Sequence, residues 1–391
     1  MRVLVVLLVV LLASATAGAQ QEVTFGYLGL AKDPRYARLK TYTNLVLRPA
    51  IDPVDGAMTA MREARIVGRA LKMKFALEVV RERDTEGLLA AFEKLYAERD
   101  ARFFLVDLPG EALAPFAAAL RDRDVLLFNV SAMDPELRGE KCQANLLHVI
   151  PSRTQITDGL AQFLAQKQWY EVLVLVGPRE EDRLFADSFV TSLRRFGGKV
   201  VDRREFLPTN DPRARERNNV RLLTSGVDYD AIFVADSRTE FGRFVPYNAY
   251  LPRPVVGSIG LVPSAWHWAS ERFGSPQLNQ RFERQVKKKR KMTDFDWAAW
   301  AAVRSLLEAY TRTRSTDFAT LREALLGEEV RLDVYKGAPA DFRPWNRQLR
   351  QPILLHTSDA VIAYAPLPQF LHARNNLDTL GVDEPMSACK L

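Results

Sequence analysis

The side chains able to do chemistry in this chain form no familiar catalytic set. Four histidines, His148, His267, His356 and His372, lack the spacing of metal ligands. Gly257-Ser258-Ile259-Gly260 lacks the spacing of a G-x-S-x-G nucleophile elbow. No Walker loop and no G-x-G-x-x-G turn occurs. Asp182 and Asp187 fall on one helical pattern and read as a solvated face rather than a catalytic carboxylate pair. An enzyme is therefore not expected. Arg153 stands in Ser152-Arg153-Thr154-Gln155, a capping-box pattern. A cation there would join free helix N–H groups that already favour an anion. The dense basic run Lys287-Lys288-Lys289-Arg290-Lys291 reads as a solvated helix end, and no nucleic-acid partner is expected. Cys142 and Cys389 stand outside any C-x-x-C motif. In an oxidising compartment such an isolated pair tends to bridge, and a Cys142–Cys389 disulfide is predicted.

The elements that must position these groups begin with an export signal. Arg2 is followed by an apolar run, Val3–Leu12, and by the small residues Ala17-Gly18-Ala19. This is the pattern of a cleavable secretory signal over 1–19. The run is too short to span a bilayer. With Gln20 next and no nearby cysteine, a soluble periplasmic protein is expected. The length, 391 residues, exceeds one ordinary core and suits two lobes. The net charge of +7 fits an acidic small ligand and equally an ordinary soluble protein.

Strands and helices alternate in the first half. Apolar runs at Val23–Leu28, Phe75–Val80, Phe103–Val106 and Val125–Phe128 are separated by helical patterns at Asp55–Leu71, Asp84–Tyr96 and Glu111–Leu120. That alternation implies a parallel sheet. It restarts after a loop, Ser131–Ala144, with strands at Val172–Val176, Val200–Phe206, Asp230–Val234 and Pro254–Val256. Helices are predicted at Ser152–Lys167, Glu181–Phe196 and Ala214–Thr224 between them. Three further helical patterns follow at 276–291, 296–311 and 317–326. β structure closes the chain near Leu332–Tyr335, Ile353–Leu355 and Ala360–Tyr364.

This order resembles the type I periplasmic solute-binding proteins of ABC transporters, the group that includes branched-chain amino acid binders. The stretches that carry the resemblance are Ser131–Leu137, Pro151–Ala161, Asp230–Phe233 and Trp297–Val303. It implies an α/β fold of two Rossmann-like lobes joined by three crossings, placed near Asn145, Gly257 and Arg331. Lobe one is then 20–145 with 257–330, and lobe two is 146–256 with 331–391, including the tail. Ligand is expected in the cleft between the lobes. A non-catalytic monomer that delivers cargo to an inner-membrane permease is implied.

Two segments depart from the amino acid binders by being bulky and basic: Gly260–Trp268 and Tyr335–Pro352. With the tail Leu377–Asp383 they resemble the subfamily encoded with pyrroloquinoline-quinone-dependent alcohol dehydrogenases. That resemblance implies pyrroloquinoline quinone as ligand, a planar tricarboxylate suited to Trp stacking and bidentate Arg contacts. The implied ligand set is Tyr27, Leu28, Ser131, Arg153, Arg238, Trp266, Trp297, Lys336, Arg343 and Arg347, with Trp268 and Arg350 beside it. Two alternatives remain. One is a binder of an amino acid or other small carboxylate. The other is an accessory or sensor of a quinoprotein dehydrogenase with no transport role.

Overall fold

The computed structural model describes residues 21–391 apart from 42–43, 210, 287–289 and 328–329. The predicted signal segment 1–19 and Lys287–Lys289 of the basic run lie outside the described residues. Five parallel strands form the first sheet, in the order Met73–Glu82, Gln21–Leu30, Phe103–Asp107, Leu126–Asn129, Leu146–His148. Its central runs, Phe-Phe-Leu-Val-Asp and Leu-Leu-Phe-Asn, are buried throughout. Continuous apolar runs of this kind form strands covered by helices on both faces. Helices Thr85–Glu98 and Gly110–Ala119 cover one face. Helices Val54–Leu71, Ser275–Gln285 and Asp294–Thr313 cover the other. Val54–Leu71 and Asp294–Thr313 meet closely because Gly56 has no side chain. A Cβ there would lie 1.8 Å from the Asp296 carbonyl oxygen.

The second sheet runs Val255–Gly257, Ala231–Ala235, Glu171–Val176, Lys199–Glu205, again all parallel. Helices Arg153–Gln166 and Glu180–Arg195 pack on one side through Leu160, Leu164, Ala186 and Phe189. Val220, Leu223, Phe241 and Val245 cover the other. The helix expected over Ala214–Thr224 is instead a 3-10 segment, Pro212–Asn218, and a short helix, Val220–Leu223. Asn219 breaks the run and caps the second piece, accepting from the Leu222 N–H at 3.2 Å. A three-stranded antiparallel sheet, Val262–Ser264, Ile353–His356 and Val361–Ala365, lies against helix Arg153–Gln166.

The two α/β units are those expected, but the passages between them fall later in the chain. Leu146–His148 is a strand of the first sheet, so the chain leaves that unit after His148, three residues beyond Asn145. Val262–Ser264 still pairs with Ile353–His356, and the chain rejoins the first core from Ala265 and Trp266 onward, so that passage lies beyond Gly257. Val330, Leu332, Val334, Ala340, Phe342 and Leu349 also pack in the first core. The third passage therefore follows Leu349, not Arg331. Turn residues mark where an element ends; which core the next apolar face fills is decided by shape. Cys142 and Cys389 are bridged, with Cα atoms 5.6 Å apart.

Candidate functional site

Most of the aromatic and basic residues expected at the ligand are built into the frame. Trp266 and Trp297 stack on each other at 6.2 Å and 12° inside the first core. Their indole N–H groups donate to Asn279 Oδ1 at 3.0 Å and to the Val334 carbonyl at 3.3 Å. The Lys336 ammonium sits 3.4 Å from the Trp297 ring centroid and donates to Gln351 Oε1 at 2.7 Å. Lys336 is 1% exposed. Burial pushes its pKa well below the usual value, against the pull of Asp294. Arg343 is equally buried; it pairs with Asp378 at 2.8 Å and donates to the Leu377 and Leu380 carbonyls. Arg347 is half-buried beside Arg322, with its Nε unpartnered. Arg350 pairs with Asp378 at 2.8 Å. Trp268 is part-exposed, under the Lys291 ammonium at 4.7 Å. Leu28 alternates away from Tyr27 into the opposite face of the sheet, in the core around Leu88 and Phe104. The bulky segments thus read as ligand chemistry because Trp and Lys serve equally well to fill and cross-tie a core.

Tyr27 and Ser131 join a hydrogen-bonded cluster at the carboxyl edge of the first sheet, while Arg153 opens helix Arg153–Gln166 and Arg238 follows strand Ala231–Ala235 of the second unit. Asp107 ends its strand at the carboxyl edge of the first sheet, where ligands of open α/β sheets gather. Its Oδ2 accepts from the Tyr27 hydroxyl at 2.8 Å, and its Oδ1 from the Tyr36 hydroxyl at 2.5 Å. Arg35 Nη2 also reaches Oδ1, at 3.0 Å, and Arg35 Nη1 donates to Ser131 Oγ at 3.0 Å. Asp33 holds the same guanidinium at 2.6 Å. Burial and the neighbouring Asp107 carboxylate raise the pKa of both tyrosines, so they stay phenols that donate. Burial works against the charge of Arg35, but Tyr36, Asp33 and Asp107 more than offset it.

Arg48 ends a hairpin formed by Leu39–Lys40 and Val46–Arg48. Its Nη2 donates to the Arg35 carbonyl at 2.8 Å, which joins it to this cluster. Its Nε is buried with no acceptor. Burial lowers its pKa, Glu181 counters that, and Arg238 lowers it further. Glu181 and Arg238 belong to the second unit, so Arg48 feels charges of both signs from it.

Two buried carboxylates set the loops on that far side. Asp182 accepts from the N–H groups of Arg179 at 3.2 Å and Ser237 at 2.6 Å. Asp236 accepts from Phe241 at 3.0 Å, Gly242 at 2.8 Å and Arg238 at 3.2 Å. Arg238 is thereby held at the rim, exposed, and in no ion pair among the described residues. Arg153 is half-buried, its guanidinium 3.6 Å from Asp134 and its N–H donating to the Met133 carbonyl at 2.7 Å. It ties the two units together through that loop. The hydroxyl hydrogens of Tyr27 and Tyr36 are spent on Asp107 and that of Ser131 on the Leu108 carbonyl, so the donors left for an anion are the guanidinium groups of Arg48 and Arg238. Sequence reasoning missed Arg35, Tyr36, Arg48, Asp107 and Asp236. The signal for the first two was Asp33-Pro34-Arg35-Tyr36, a turn directly after the first strand.

Among the described residues no helix is long and apolar enough to cross a membrane. No group of three or more His, Cys, Asp or Glu side chains there is placed to hold a metal ion. No protein-family model and no curated protein matches the sequence. Solved structures do match. A branched-chain amino acid ABC transporter periplasmic ligand-binding protein from Burkholderia xenovorans superposes with TM-score 0.66 at 14% identity, over 88% of this chain and 95% of that one. A substrate-binding protein from Desulfitobacterium hafniense in complex with Leu gives 0.62 at 16%, over 88% and 100%. A Rhodopseudomonas palustris solute-binding protein in complex with 4-hydroxybenzoate gives 0.62 at 12%, over 87% and 95%. At these identities the likeness concerns architecture alone, and by architecture the chain has the type I periplasmic binding protein fold, two α/β units with a cleft at the carboxyl ends of their sheets.

Proposed function

We propose that the protein is a periplasmic solute-binding protein that captures a small aromatic carboxylate between its two units and presents it to an ABC permease. One observation carries the reading. Arg48, with its Nε buried and unpartnered, and Arg238, exposed just after strand Ala231–Ala235, come from opposite units and stand in no ion pair among the described residues. An anion between two such groups relieves their repulsion and bridges the units, so it binds the closed form better than the open one. The Tyr36 ring is buried edge-on against Phe295 at 5.5 Å and backs the Arg35 guanidinium, 5.1 Å from its centroid. The secretory pattern of residues 1–19 and the cargo of the structural neighbours agree with this.

Pyrroloquinoline quinone is an anionic aromatic and belongs to the same class, but Trp266, Trp297, Lys336 and Arg343 among the residues that suggested it are buried. Calorimetry on the purified chain with benzoate, 4-hydroxybenzoate, leucine and the quinone tests the reading. At least one aromatic acid is expected to bind at micromolar level, near −8 kcal/mol by order of magnitude. Arg48→Gln or Arg238→Gln should weaken it by about 1.5–3 kcal/mol, the worth of a charge-assisted bond. Leucine binding alone, untouched by either substitution, would overturn the aromatic-acid assignment.

A further inference from the structure

The hairpin that carries Arg48 into the cleft also roofs a second space. A pocket of about 1140 Å³ lies between Thr41, next to that hairpin's first strand, and the second unit's Pro212–Asn218 segment, Val220–Leu223 helix and 240–249 turn. Sites holding drug-sized ligands occupy about 300–1,000 Å³, so this space exceeds the needs of a one-ring acid. Three arginines line it: Arg215, Arg221 and Arg243. None of them forms an ion pair among the described residues, although Asp211 and Glu240 stand in the same wall. Asp211 is engaged locally, accepting from the Arg213 N–H at 2.9 Å. Arg243 Nε is buried without an acceptor.

The apolar part of the wall is aromatic and open. Phe244 is 47% and Tyr247 85% exposed. The Arg243 guanidinium lies 4.6 Å from the Phe244 ring centroid, and that of Arg221 5.4 Å from Tyr250. Stacking of this kind holds a guanidinium plane in place while leaving its edge donors for an anion. The pocket also adjoins the cleft along the chain on both sides. Thr41 donates to the Leu45 carbonyl at 2.9 Å, closing the hairpin whose far strand ends at Arg48. Glu240 and Phe241 come two and three residues after Arg238.

We propose that this pocket is an extension of the cleft that receives a second carboxylate of the ligand. The protein then selects aromatic di- and tricarboxylates over aromatic monocarboxylates. The inference rests on the cleft reading above and adds to it a ligand class. One carboxylate is held by Arg48 and Arg238, and the distal one by Arg221 and Arg243, with the ring system against Phe244 and Tyr247.

The test compares benzoate with benzene-1,3,5-tricarboxylate on the full chain and on Arg221→Gln/Arg243→Gln, by calorimetry at one fixed low salt concentration. Thermal melting first establishes that the variant is folded. The tricarboxylate is expected to bind about tenfold tighter or better than benzoate, and to lose that advantage in the variant. Benzoate affinity should change less than about twofold there, since a monocarboxylate stays in the cleft. Equal affinities in the unmodified chain, or an advantage that survives the double substitution, would overturn the extension while leaving the cleft reading intact. Failure of both acids to bind would overturn the cleft reading and the extension together.

Discussion

Lys336 shows how one residue can carry two opposite readings. A lysine beside a Trp at a domain passage has the chemistry of a carboxylate ligand. Here its ammonium is enclosed by Gln351, the Pro352 carbonyl and the Trp297 face. Removing it leaves a void and an amide without its partner. Lys336→Ala is expected to lower unfolding free energy by about 2–4 kcal/mol, from cavity formation plus the lost bond. Ligand affinity per folded molecule should not change. Urea unfolding paired with titration of ligand at low denaturant checks both halves. A loss of affinity at unaltered stability would return Lys336 to the binding site. Arg48 is the converse case, an ordinary arginine in sequence that becomes notable because its Nε is buried without an acceptor.

At the scale of elements, the close contact of two helices decides whether the first core closes. Gly56 sits on helix Val54–Leu71 against the backbone of Asp296, the third residue of helix Asp294–Thr313. Beside this contact Arg290 bridges Asp296 at 2.6 Å and Asp55 at 2.9 Å. The neighbour at Gly56 is backbone, so nothing flexible can give way. Gly56→Ala is expected to destabilise the protein by about 3 kcal/mol, the upper range of overpacking in a filled core. It should also alter near-UV ellipticity from Trp297 and Trp300, which ride on the displaced helix. A melting temperature equal to the parent's would contradict the contact. The passage strands act differently. They pair Val262–Ser264 with Ile353–His356, so two of the three connections move as one piece.

On the scale of the whole molecule, the tail is a tie between the units. Arg343, on the first unit, holds Leu377, Asp378 and Leu380. Trp345 donates to the Val382 carbonyl at 3.3 Å. From the second unit, Arg195 donates to the Gly381 carbonyl, and Asp158 accepts the Gly381 N–H, both at 2.7 Å. Gly381 has φ of 80° and touches Gln155 and Arg343, so a side chain has no room there. The Cys142–Cys389 bridge closes this strap across 247 residues. Replacing both cysteines with serine is expected to reduce stability by about 2–5 kcal/mol in the chain-entropy account. The circular dichroism of the fold should persist while limited proteolysis removes the end of the tail. Unchanged denaturant midpoints for the oxidised parent and the variant would show that the strap contributes nothing.

Local pattern was enough for some features of this protein and insufficient for others. Continuous apolar strands such as Phe103–Val106 and Val172–Val176, with helical patterns between them, require parallel sheets covered on both faces, and two such series require two units. Ser152 and Gln155 cap their helix as read, with both bonds present, because a capping box involves only residues three apart. Cys142 and Cys389 were legible as a pair because no third cysteine competes. The passages were not legible, and neither were Arg35, Tyr36, Arg48, Asp107 and Asp236, whereas the sequence singles out Arg238 and Arg153. Whether 331–349 joins the first or second core depends on which surface has space for Val334, Phe342 and Leu349, and no window of sequence records that. Trp297 and Lys336 carry the same residue types whether they stack on a ligand or on each other. Arg48 is distinguished by a buried Nε without an acceptor and by a bond from its Nη2 to the Arg35 carbonyl, and only the tertiary fold creates that surrounding.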